Sequence, residues 1–197
     1  AHGSAPTLRY RYRYAAFKPV TGSQQTADWH AQVEETLEDV SDAKKESVLQ
    51  VTQQAYYDDP AAASAVEYGR VKSRTVTLNG LSTRTDYRYH SGPGRHAAAG
   101  DEAVLVTEQT VTGHDHAELA PVRKVVTYEH SMHHGEPLLT YDDQDVQIRY
   151  SYDAALRVTQ ETVAPGSEFE ASRDYAYALC AYESDQAKQR RVDVKGV

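Results

Sequence analysis

Polar and apolar positions alternate along most of this chain, and the alternation is clearest near its start. Residues 8–17 set Tyr10, Tyr12 and Tyr14 on one face and Arg9, Arg11 and Arg13 on the other. Side chains two apart share a face only in an extended strand. In a helix the same pair would stand about 200° apart, because each residue advances roughly 100°. Comparable alternation predicts strands over 48–57, 71–78, 82–89, 103–112, 122–130, 137–141, 146–153, 157–163 and 169–179. Segment 29–40 reads two ways. Trp29, Val33, Leu37 and Val40 fit a helical stripe, whereas Trp29, Ala31, Val33, Glu35 and Leu37 fit strand alternation. We read it as a strand with its turn at 41–45; the alternative is a short helix within 29–40.

Turn chemistry separates these runs. Asn79-Gly80 suits a two-residue type I′ hairpin turn, in which both central residues need positive φ. Asp58-Asp59-Pro60 ends a strand, since proline lacks a donor and holds its predecessor extended. Residues 61–65 read as a short connection of about one helical turn. Loops are expected at 21–27, 91–94, 113–116, 133–135, 142–145 and 165–166. Short strands with turns at this spacing predict an all-β fold: an extended antiparallel sheet of sequential β-hairpins, with little helix. We divide it into N-terminal strands and loops, 1–65, and a repeat-like region, 66–197. The final residues, 192–197, read as half of another strand, so the array is expected to continue beyond this fragment.

Composition narrows the partners. The chain of 197 residues carries a formal charge of −8, and an acidic surface repels phosphate backbones, so nucleic acid is not an expected partner. Mean hydropathy is −0.69, too polar for a dry sandwich and suited to a sheet wetted on at least one face. No stretch approaches the roughly 20 apolar residues of a membrane span. Cys180 is the only cysteine, which excludes an intrachain disulfide.

Fifteen tyrosines stand against two phenylalanines and one tryptophan, and many fall in pairs two apart: Tyr10/Tyr12/Tyr14, Tyr87/Tyr89, Tyr150/Tyr152 and Tyr175/Tyr177. Recurrence of one strand motif suggests a repeat architecture. One copy carries more. Tyr150-Ser151-Tyr152-Asp153, two alanines, then Leu156-Arg157-Val158-Thr159 resembles the YD repeat of Rhs proteins, whose motif runs Tyr-x-Tyr-Asp, two residues, Gly-Arg, then an aliphatic residue and often Thr. The stretch 161–166, ending on Gly166, resembles the family's turn, and Tyr175-Ala176-Tyr177 falls where the next pair is due. Tyr68-Gly69-Arg70-Val71, Asn79-Gly80 and Tyr87-Arg88-Tyr89 form a looser copy. The chain departs from the motif at Leu156, where the family usually has Gly, and at Ala178, where Asp would follow the pair.

The resemblance implies a structural role without catalysis or cofactor. Rhs-type proteins wind their repeats into a β-sheet shell around a C-terminal toxin, so the implied partners are the rest of the same polypeptide and that toxin. The implied setting is a bacterial protein, secreted or at the cell surface and delivered by a secretion system. Tyr150, Tyr152, Asp153, Arg157, Gly166, Tyr175, Tyr177, Tyr87, Tyr89 and Gly80 would be repeat residues that hold the wall. Neither a toxin domain nor the family's protease-like motif is visible in this sequence.

The residues themselves raise other chemistry. Tyrosine pairs can stack on sugars, so Tyr87, Tyr89, Tyr150 and Tyr152 could present a platform to surface glycans; packing against cross-strand neighbours is the competing role. His114, His116, His130, His133 and His134, with Asp115, Glu118 or Glu129, invite a zinc reading, but they sit in or beside turns, where polar residues are common, and no metal is expected. Asp142-Asp143-Gln144-Asp145 lacks the glycine and distal glutamate of an EF-hand loop. Cys180 reads as a small apolar residue. No nucleophile elbow, zinc-protease helix or phosphate-cradling loop is present.

Overall fold

The computed structural model describes residues 5–19, 27–42, 44–95, 103–113, 120–177 and the backbone of 193–196. The strands are β1 Leu8–Phe17, β2 Trp29–Asp39, β3 Ser47–Tyr56, β4 Val71–Leu78, β5 Leu81–Pro93, β6 Ala103–Gly113, β7 Val122–Ser131, β8 Pro137–Asp142, β9 Gln147–Tyr152, β10 Val158–Val163, β11 Ala171–Ala176 and β12 Asp193–Gly196. Their order in the sheet is their order in the chain. The fold is all-β and built of sequential antiparallel pairs, as the alternation predicts, and no helix occurs among the described residues.

The ambiguous segment 29–40 is the strand β2, not a helix. Its register explains why: Arg9 and Arg13 of β1 lie opposite Glu38 and Glu34, and Arg9 Nε reaches Glu38 Oε2 at 2.6 Å. Strand geometry sets these charges directly across from each other, where opposite pairs favour the sheet. Of the loop expected at 91–94, residues 91–93 belong instead to β5, which runs on to Pro93. Proline fits the last position of a strand, where its missing donor breaks no further ladder bond.

The chain forms two compact units. In the first, residues 1–90 with 108–125, Phe17 stacks on Trp29 at 4.4 Å, and Tyr56 and Tyr68 meet the Trp29 ring edge-on. In the second, residues 91–107 with 126–197, the buried positions are Val104, Val106 and Leu139 together with Thr107, Thr127, Glu129 and Ser131. Three buried hydrophobic residues among those described are few, in line with the low mean hydropathy. Stability here rests on ladders, cross-strand pairs and aromatic contacts more than on a dry core.

Glu129 is 1% exposed. The Arg95 backbone N–H donates to its Oε1 at 2.7 Å, and a side chain at Gly94 would meet Oε2 at 2.5 Å and Val104 Cγ2 at 2.6 Å. Only glycine lets the backbone lie directly on this carboxylate. The Arg95 guanidinium then reaches Asp145 at 2.7 Å and covers the Tyr141 ring at 4.2 Å.

Candidate functional site

The tyrosine pairs fall at the open ends of three hairpins, and each closes its hairpin in the same way. In the β4–β5 hairpin, Tyr89 Oη donates to the carbonyl of Val71, the first residue of β4, at 2.9 Å. In the β8–β9 hairpin, Tyr152 Oη donates to the carbonyl of Pro137, the first residue of β8. In the β10–β11 hairpin, Tyr177 Oη donates to the carbonyl of Val158, the first residue of β10, at 2.9 Å. The register accounts for the reach. Ser73 pairs with Asp86, Leu139 with Arg149 and Gln160 with Asp174. Extended by two residues, each register sets the accepting residue opposite the one between the two tyrosines. The second ring of each pair therefore leans diagonally across the hairpin mouth to that residue's carbonyl.

That preceding turn also repeats. Gly69, Gly135 and Leu156 each stand two residues before the accepting residue, with φ of 79°, 79° and 59°. A left-handed residue ends the incoming turn and starts the strand on its new course. In two copies the residue between is arginine, and its guanidinium covers the closing ring: Arg70 over Tyr89 at 5.3 Å and Arg157 over Tyr177 at 4.6 Å. Glu136 takes that place in the third copy.

Asp153 organises the turn between the second and third copies. Its Oδ1 accepts the N–H groups of Ala155 and Arg157 at 2.9 and 3.0 Å. Its Oδ2 accepts Arg157 Nε at 2.7 Å. The Arg157 backbone N–H, followed by its guanidinium, holds the Asp153 carboxyl below the ordinary aspartate range. Burial, with the neighbouring Tyr87 adding to it, pushes Tyr89 up to about 12 despite the opposing charge of Arg70. Burial and Glu136 push Tyr152 up to about 12. Both phenols therefore remain donors far into alkaline solution.

The first tyrosine of each pair has a different neighbourhood. Tyr87 stacks on Tyr89 at 6.4 Å, and its carbonyl accepts Tyr57 Oη at 2.8 Å. Tyr150 lies opposite Glu161, and Tyr175 Oη donates to Glu161 Oε2 at 2.8 Å. Asn79 and Gly80 have φ of 52° and 80°, as a type I′ turn requires. Gly166 has φ 77° and follows Ala164 at 49° in the β10–β11 connection. The ten residues named from the sequence thus do not converge on one site. They are spread over three hairpin mouths and three turns, with Gly80 in β4–β5, Asp153 and Arg157 in β9–β10 and Gly166 in β10–β11.

The histidines divide among local partners. His130 Nδ1 lies 3.2 Å from the Gly135 carbonyl, His134 Nδ1 accepts the Glu136 N–H at 3.3 Å, and Ser131 Oγ accepts the His133 N–H at 3.1 Å. Among the described residues no three His, Cys, Asp or Glu side chains are grouped to hold a metal ion. His114, Asp115, His116, Glu118, Ala178 and Cys180 lie outside the described residues. Asp142 Oδ1 accepts the N–H groups of Gln144 and Val146, both at 3.0 Å, so it closes its own turn.

A polar groove of about 470 Å³ in the first unit escaped the sequence reading. Tyr57, Lys72, Tyr87, Arg88, Glu108 and Arg123 line it. The arginine caps and the accepting carbonyls escaped it as well. Their only signal is the matching order Gly69-Arg70-Val71 and Leu156-Arg157-Val158, ahead of Tyr89 and Tyr177 by 18 and 19 residues. Comparison with known proteins finds no family model, no curated protein and no solved structure that matches the chain.

Proposed function

We propose that this chain is a structural repeat module, a segment of the β-sheet wall of a larger bacterial Rhs-type protein that encloses a C-terminal toxin. It does its work as wall, without catalysis, in a protein that is secreted or displayed at the cell surface. The observation that carries this reading is the thrice-repeated hairpin closure, in which the tyrosine pair serves the backbone of its own hairpin. Leu156 adds support. It occupies the motif position where the YD repeat has glycine, and its φ of 59° is one that glycine adopts without strain. Asp153 and Arg157, the motif's charged residues, bond to each other across the same turn. Reading the coding sequence beyond Val197 tests the proposal: further Tyr-x-Tyr-Asp repeats are expected, and a stop codon directly after Val197 would contradict it.

The groove of the first unit favours a second reading, a module that binds surface carbohydrate. Tyr87 supplies a face on which a sugar can stack, Lys72 covers the Tyr57 ring at 5.6 Å, and Asp86 and Glu108 beside Lys72, Arg88 and Arg123 offer acceptors and donors to sugar hydroxyls. Tyr89 and Tyr152 are less suited to that role, because their hydroxyls are already engaged. Binding on a glycan array that disappears on Tyr87→Ala, with folding intact, would favour this reading over the wall.

A further inference from the structure

β1 carries a Tyr-x-Tyr run that no carbonyl among the described residues closes. In the three closed hairpins the pair lies on the second strand and the accepting carbonyl on the first. β1 is terminal in the strand order and pairs with β2 along one edge. Among the described residues nothing pairs with its other edge. Tyr10, Tyr12 and Tyr14 are 52%, 50% and 61% exposed. Tyr10 and Tyr12 stack parallel at 6.4 Å, the same spacing as Tyr87 and Tyr89. The hydroxyl of Tyr14 has no hydrogen-bond partner among the described residues, unlike those of Tyr89, Tyr152 and Tyr177. An open row of backbone donors and acceptors next to such a pair is a template for one more strand.

The opposite face of β1 says what that strand contains. Arg9, Arg11 and Arg13 form its row. Arg9 and Arg11 share Glu38, at 2.6 and 3.0 Å, Arg9 also meets Glu46 at 2.6 Å, and Arg13 meets Glu34 at 3.3 Å. The side chains of Arg11 and Arg13 remain 60% and 62% exposed. A strand added to the free edge would stand at the same lateral distance as β2, so acidic residues at alternate positions would complete the row. A second copy paired through its own β1 would set arginine against arginine and is disfavoured.

We propose that the free edge of β1 accepts an antiparallel strand from another polypeptide segment, acidic at alternate positions, and that Tyr14 closes the pair. By the register of the three hairpins, the residue opposite Arg13 supplies the carbonyl for Tyr14 Oη. This deepens the wall reading and rests on it for the expectation of continued hairpins. The two fail separately, since peptide binding and downstream sequence are independent observations.

The probe is a fluorescein-labelled synthetic peptide with the sequence of Trp29–Asp39, titrated into the intact chain and followed by anisotropy and hydrogen exchange. Saturable binding is expected, with new protection of the β1 amides and undiminished protection of β2. Tyr14→Phe should weaken binding about three- to tenfold, the effect of one hydrogen bond, while leaving the urea midpoint unchanged. Replacing the peptide's Glu34 and Glu38 by Lys should weaken it about tenfold or more. The proposal is overturned by no binding at millimolar peptide (roughly the weak limit of specific association), or by binding that neither change weakens. It is also overturned by concentration-dependent self-association that excludes the peptide.

Discussion

Leu156 holds a left-handed backbone conformation, φ 59°, and the residue is 45% exposed. For a residue with a Cβ that conformation costs roughly 1–2 kcal/mol, and this leucine recovers little by burial. Leu156→Gly is therefore expected to stabilise the protein by about 0.5–1 kcal/mol after glycine's added chain entropy, seen as a higher urea midpoint. Gly94 presents the opposite case. Gly94→Ala would press a methyl group onto Glu129 and Val104, and a loss of about 1–3 kcal/mol is expected in the same measurement. The two positions also differ in how legible they are. The place of Leu156 in a Tyr-Asp-x-x-x-Arg turn is visible in the order of residues. The need for Gly94 is not, because Glu129, the atom group it lies on, is 35 residues away in sequence and arrives only with the fold.

At the scale of the hairpin, each closure joins a left-handed turn residue, a first-strand carbonyl and a tyrosine 15 to 19 residues later. Alternation and Asn79-Gly80 place most of the strands, because both signals are local. The closures were not legible as contacts, since a tyrosine's period-2 spacing gives its face and not its partner. Segment 29–40 shows the same limit: its apolar residues fit two periods, and the charge register with β1 decides between them. The closure also has a pH signature. Tyr89 and Tyr152, raised to about 12, favour the folded state fully below the usual tyrosine value near 10, and that contribution fades as pH climbs towards 12. Ultraviolet titration at 295 nm should resolve late-ionising phenols, and unfolding should set in over that interval. Asp153 has the reverse sign: its depressed carboxyl contributes above the ordinary aspartate value near 3.8 and loses that contribution as pH falls. Asp153→Asn should flatten the acid limb of the stability profile.

At the scale of the molecule, the described residues show a repeated closure, few buried apolar side chains and a terminal strand with an exposed aromatic row. That combination assigns different work to tyrosines that look alike in sequence. Those at hairpin mouths hold backbone together, and those on β1 await a neighbour. The most direct test compares two triple variants by urea unfolding: Tyr89→Phe, Tyr152→Phe and Tyr177→Phe together, against Tyr10→Phe, Tyr12→Phe and Tyr14→Phe together. The account predicts a loss of about 2–4 kcal/mol for the first, near 1 kcal/mol per hydrogen bond with distant sites adding, and less than about 0.5 kcal/mol for the second. Equal losses, or a larger loss from the β1 row, would contradict it.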